Sequence, residues 1–108
     1  MNRGEIWTAA GGVYASKLRP VLVIQDDLFS GSDSIVVIPL TTAEADASLT
    51  RIAIPADGMT GISSHSFAMV DKITTVRRSS LRERIGRASA SHVVEIERSL
   101  MVFLGIAR

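Results

Sequence analysis

The sequence predicts a mainly β (α+β) domain, a compact, strongly bent sheet or small barrel with one helix packed on it. Three observations carry this. Short apolar runs rich in Val and Ile, such as Val21-Leu22-Val23-Ile24 and Ile35-Val36-Val37-Ile38, recur along the chain. Turn signals separate them, among them Gly11-Gly12, Asp57-Gly58 and Thr60-Gly61. Only the C-terminal stretch has helical spacing, through Val93, Ile96, Leu100 and Phe103/Leu104. At 108 residues the chain is expected to form a single domain over 1–108.

Gly4 to Ala10 reads as a first strand, with Trp7 expected in the core as large aromatics usually are. Gly11-Gly12 opens a loop reaching Leu18. Arg19 to Gln25 is a β-branched run, expected as a buried strand. Asp26 to Asp33 is polar and turn-like, with Leu28 and Phe29 expected to tuck back onto the core. Ser34 to Leu40 is a second buried strand, and Pro39, which cannot donate to a ladder, marks a strand end or sheet edge. Thr41 to Thr50 is small and polar and reads as a loop. Arg51 to Ile54 is expected as a short strand, and Pro55 to Ser64 as turns. Ser66 to Val76 reads as extended with an interruption near Asp71. Ser79 to Leu81 is expected as a turn and Arg84 to Ala88 as a short strand. Ser89 or Ser91 caps the helix and Gly105 stops it. Val94 lies three residues after Ser91, so no capping box forms there.

A hydrophobic content of 46% favours a folded core over disorder. No apolar run approaches the ~18 residues that span a bilayer. No signal-type segment opens the chain, so a cytoplasmic protein is expected. The absence of cysteine excludes disulfides, thiolate metal sites and a cysteine nucleophile. Two histidines, His65 and His92, leave little material for a zinc site, and no metal or cofactor is expected. His65 reads as a surface or capping residue and His92 as a neighbour of the helix cap.

The net charge of +1 hides an asymmetry. Residues 1–71 carry four Lys/Arg against eight Asp/Glu, and residues 72–108 carry eight against three. Arg77, Arg78, Arg82, Arg84 and Arg87 form a basic strip with Glu83 as its only acid. Such a strip suits one anionic strand; a solvated arginine face is the alternative.

Three segments place polar side chains beside apolar runs: Arg19-Pro20-Val21-Leu22-Val23-Ile24, Ile35-Val36-Val37-Ile38-Pro39-Leu40-Thr41-Thr42 and Val70-Asp71-Lys72-Ile73-Thr74-Thr75-Val76-Arg77-Arg78. Arg19 offers a planar fork for phosphate oxygens, or else a strand-end salt bridge. Thr41 can hydrogen-bond a phosphate or ribose, or its own loop backbone. Thr42 points away from Thr41 if the segment stays extended. Asp71, within an apolar stretch, needs a partner, and Lys72, Arg19 and Arg77 are the candidates. That partnership can be structural or functional. Tyr14 can stack on a base or stand exposed in its loop.

With the opening Arg3-Gly4-Glu5-Ile6-Trp7, these segments resemble the MazF/PemK family of toxin endoribonucleases over most of the chain. The resemblance implies an SH3-like small barrel of the PemK/CcdB toxin type with a C-terminal amphipathic helix. It implies Arg19, Thr41 and Asp71 as catalytic residues. Lys17, Tyr14, Thr42, Lys72, Arg77 and Arg78 are the candidate RNA contacts, and the loops Gly11–Leu18 and Thr41–Thr50 the candidate readers of sequence. Two departures stand out. Where family members often have Asp-Gln this chain has Asp71-Lys72. Where some carry an arginine two residues before the aspartate and a histidine in the first long loop, it has Met69 and a His-free loop. Lys17 and Arg19 are the candidates to substitute.

The implied activity is the toxin role in a type II toxin–antitoxin system. It entails metal-independent, sequence-selective cleavage of single-stranded RNA, which inhibits translation and growth. The target is messenger RNA, or alternatively tRNA or rRNA. The resemblance further implies a homodimer and an acidic antitoxin as partners, and no membrane. A gyrase-poisoning toxin of the CcdB kind and a catalytically inactive RNA-binding module are the alternatives.

Overall fold

The computed structural model describes residues 1–11, 17–44 and 49–107. Its strands are β1 (Glu5–Ala9), β2 (Arg19–Val23), β3 (Ser34–Thr41), β4 (Arg51–Ile54), β5 (Ser66–Met69), β6 (Thr74–Arg77) and β7 (Leu81–Arg87), followed by the helix α1 (Ala90–Phe103). The sheet runs β4-β5-β3-β2-β1-β7, and β6 also pairs with β3. Every ladder is antiparallel. The extended stretch around Asp71 is β5 and β6 joined by the 3-10 turn Val70–Lys72, as the interruption predicts. No helix among the described residues is long and apolar enough to cross a membrane.

The continuous apolar runs are strands buried on both faces. Leu22, Ile24, Ile38 and Leu40 join Ile6, Ile54, Val70 and Ile96 in one cluster under the helix. Val21, Val23, Ile35 and Val37 join Ala9 and Leu81 in a second cluster on the opposite, outer face. Alternation along β2 and β3 thus feeds two cores. Trp7 is half-buried and packs at the margin of the outer cluster, not inside the core. Its indole N–H donates to Glu5 Oε1 at 3.1 Å, which holds it at the edge.

The ends of the sheet path, β4 and β7, are bridged by the turn that follows β4. Asp57 Oδ1 accepts the Met59 and Thr60 N–H groups, both at 2.9 Å, and the buried Thr60 hydroxyl donates to the Pro55 carbonyl at 2.7 Å. Arg87 N–H then donates to the Met59 carbonyl at 2.9 Å. This backbone contact brings the bent sheet round on itself.

Ser89 caps the helix, its Oγ accepting the His92 N–H at 3.2 Å. At the other end Ile106 N–H donates to the Met101 carbonyl and Gly105 N–H to that of Val102. With Gly105 at φ +74°, this is a Schellman close. Two further expectations fail. Leu28 and Phe29 are 84% and 59% exposed, because the 3-10 turn Asp27–Phe29 points them outward. Strand β7 begins at Leu81, three residues before its predicted start; the charged residues Arg82, Glu83 and Arg84 on its exposed length mask the pattern.

Candidate active site

Arg19 and Thr41 stand at the same end of neighbouring strands. Pro20 restricts the residue before it to extended backbone, which starts β2 at Arg19. The β2–β3 register pairs Val21 with Pro39 and Val23 with Val37. The ladder ends there; Arg19 lies two residues before Val21 and Thr41 two residues after Pro39, so each keeps the face of that pair by strand alternation. Both then share the outer face with Val21, Val37 and Pro39. A groove of about 410 Å³ opens on this face, with Val21, Val37 and Pro39 in its floor and the exposed Lys17, Arg19 and Arg77 among its lining. Three cations over an apolar floor suit a phosphate chain whose sugars or bases rest below it. Thr41 Oγ1 accepts the Ala43 N–H at 3.1 Å. The local bond orients the hydroxyl, and its own hydrogen remains able to donate.

Asp71 takes a partner that the sequence reading did not name. Its Oδ1 lies 3.3 Å from Arg51 Nη1, and its Oδ2 3.5 Å from Arg51 Nη2. The expected partners Lys72, Arg19 and Arg77 are displaced because β4 runs beside β5 and brings Arg51 opposite Met69. Thr42 lines a separate cleft with Thr8, Pro20, Gly61 and Ser64, on the face away from Thr41. Lys72 is exposed as the last residue of the 3-10 turn. Tyr14 lies outside the described residues. His65 is exposed and edges onto the Phe67 ring at 5.3 Å, and His92 is bonded to its cap through Nδ1. Neither histidine stands in the groove.

Comparison with known proteins places this arrangement. A family model described as PemK-like, MazF-like toxin of type II toxin–antitoxin system matches residues 2–104. The chain belongs to the PemK/MazF toxin family. It is 52% identical over 108 residues to the "Probable endoribonuclease MazF" of Mycolicibacterium smegmatis, with 99% of each chain covered. It is 34% identical over 107 residues to "Endoribonuclease MazF6" of Mycobacterium tuberculosis, with 93% of each covered. Among solved structures it superposes with a TM-score of 0.83, at 21% identity, on an "Endoribonuclease in complex with its cognate antitoxin from Mycobacterial species", covering 100% of this chain and 98% of that one.

In this PemK/MazF-family toxin the five-arginine strip is not one surface. Arg77 lines the groove beside Arg19. Arg78 turns inward: its Nε donates to the Ser32 carbonyl at 3.1 Å, so part of its donor capacity is spent on the fold. Arg82 is exposed. Arg84 Nε holds Glu5 Oε2 at 3.0 Å, and Arg87 lines a second hollow between β1, β7 and the helix. Strand alternation and the 3-10 turn Arg78–Ser80 send neighbouring arginines in different directions.

Glu5 is a carboxylate whose surroundings shift its titration. Burial works to raise its pKa, but the Asn2 N–H, the Trp7 indole and the Arg84 guanidinium together hold it below the ordinary glutamate value. Its stabilisation is therefore present above the unfolded pKa and lost as pH falls through the folded one. Glu5→Gln is expected to cost about 1–2 kcal/mol at neutral pH. The gap to the parent should close below about pH 4, as followed by urea unfolding at several pH values.

Proposed function

We propose that this chain is the toxin of a type II toxin–antitoxin pair and cleaves single-stranded RNA by attack of the ribose 2′-hydroxyl on the adjacent phosphorus. The observation that carries the reading is the basic groove lined by Lys17, Arg19 and Arg77, with Thr41 at the adjoining end of β3 outside that lining, in a chain of this family. Such cleavage needs an aligned 2′-hydroxyl, a proton acceptor, a proton donor for the leaving 5′-oxygen, and stabilisation of the phosphorane oxygens. The guanidinium of Arg19 brings a fixed positive charge and a planar donor fork, which suit the last task. Thr41 donates a hydrogen bond to a phosphate oxygen or fixes the ribose. Asp71 belongs to the site through Arg51. Lys17 and Arg77 hold the flanking phosphates. The products are a 2′,3′-cyclic phosphate and a 5′-hydroxyl.

The named relatives are endoribonucleases, which favours RNA over gyrase as the target. The test incubates purified protein with mixed-sequence RNA in EDTA, with a gyrase supercoiling assay alongside. RNA fragments and unaffected gyrase are expected. Strict dependence on added Mg²⁺ or Mn²⁺, or gyrase inhibition without RNA cutting, would count against the mechanism.

The working form is a homodimer with an acidic antitoxin as its inhibitor. A related structure includes a cognate antitoxin, and three cations in one groove suit an acidic segment. At the helix end Val102, Phe103, Leu104 and Ile106 are 55%, 47%, 52% and 71% exposed, whereas Leu100 packs against the core. A contiguous apolar end of this kind calls for a cover. Light scattering at micromolar concentration should give a dimer, and Val102→Asp should shift it toward monomer. A monomeric parent would remove the proposal.

A further inference from the structure

We infer that Arg51 is a positioning residue of the cleavage site, fixing the end of the β3–β4 connection on the face that carries Arg19 and Thr41. The inference rests on the RNA-cleavage reading above. Thr41 closes β3 and Arg51 opens β4, so the two bracket that connection. The ladders pair Thr41 with Phe67, Phe67 with Ala53, and Met69 with Arg51. Residues directly paired across antiparallel strands share a face. Thr41, Phe67, Met69, Ala53 and Arg51 therefore lie on the outer face, whereas Leu40, Ala68 and Ile54 turn into the core beneath the helix.

The end of the connection is clamped at three consecutive residues. Ser99 of the helix donates to the Leu49 carbonyl at 2.5 Å. The Val70 N–H donates to the Thr50 carbonyl at 2.9 Å. Arg51 then reaches Asp71 with both terminal nitrogens, at 3.3 and 3.5 Å. The Arg51 and Asp71 side chains are only 13% and 30% exposed. The two contacts tie the first residue of β4 to the 3-10 turn that follows β5. Asp71 thus acts by holding Arg51, and Arg51 by fixing residues 49–51 where the connection enters β4.

Single-turnover cleavage of RNA, with rate constant and half-saturating protein concentration read separately, tests this. Arg51→Met should lower the saturated rate about 10–10²-fold, with little change in half-saturation. Asp71→Asn should do the same, and the double variant should lose no more than the worse single one, because the residues act as a unit. Arg51→Lys, which keeps the charge but not the fork, should recover part of the loss. Circular dichroism melting confirms that each variant is folded at the assay temperature. If the parent cuts RNA and folded Arg51→Lys and Arg51→Met match its rate, or if the two single losses add fully, the inference is overturned. A parent that does not cut RNA overturns the cleavage reading itself.

Discussion

Replacing Arg19 by alanine is expected to slow single-turnover RNA cleavage about 10²–10³-fold, the usual effect of removing one fixed donor from a developing oxyanion. The physical reason is placement. Pro20 and the β1 ladder fix the start of β2, so the Arg19 guanidinium is carried by a rigid strand into the groove. Thr41→Val keeps nearly the same shape and removes only the hydroxyl. It should also lose most activity, because it deletes a donor that the Ala43 N–H already orients. Neither change should unfold the protein, since Arg19 is exposed and Thr41 only half-buried, and neither belongs to a core cluster. Arg78→Ala is expected to separate from both. Its guanidinium is bonded to Ser32 inside the fold, so the loss should fall on stability before the chemical step. Folded Arg19→Ala and Thr41→Val proteins cutting at the parent rate would place the site elsewhere.

The largest expected effect on stability is Gly61→Ala. Gly61 has φ +69°, a left-handed conformation that costs other residues energy. A Cβ there would also lie 1.8 Å from the Ile85 carbonyl oxygen. That atom is backbone in β7 and cannot swing aside. A Cβ on Gly86 would meet the Thr60 carbonyl oxygen at 2.3 Å. The two glycines let the turn after β4 lie directly on β7, where the sheet closes. Gly61→Ala should therefore cost at least about 3 kcal/mol, lowering the melting temperature by more than about 12 °C for a domain of this size. Gly58→Ala, with open space around its Cβ position, is the control and should melt close to the parent. Equal melting temperatures for the two variants would mean that the closure is looser than described.

Much of this architecture is legible because its signals are local. The apolar runs of β2 and β3, the Ser89 cap and the Gly105 stop are each written in consecutive residues. The candidate site was visible in two short motifs, Arg19-Pro20 and Pro39-Leu40-Thr41. What stayed hidden depends on partners far apart in the chain. Nothing near Arg51 marks it; only the β4–β5 ladder brings it opposite Met69 and onto Asp71. The arginine run read as a single strip because sequence proximity says nothing of side-chain direction, and Arg78 and Arg84 turn to Ser32 and Glu5 instead. Leu28 and Phe29 read as core by hydrophobicity alone, which carries no information about a 3-10 turn facing outward.

In the proposed reaction the 2′-hydroxyl is the nucleophile, and Arg19 and Thr41 stabilise the phosphorane that its attack creates. The direct measurement is single-turnover cleavage, in EDTA, of a mapped RNA substrate and of the same RNA carrying one 2′-deoxy nucleotide on the 5′ side of the cut. Fragments ending in a 2′,3′-cyclic phosphate and a 5′-hydroxyl are expected from the first, and no cut at that position in the second. Cleavage of the deoxy substrate, or fragments bearing 5′-phosphates, would contradict the proposed reaction.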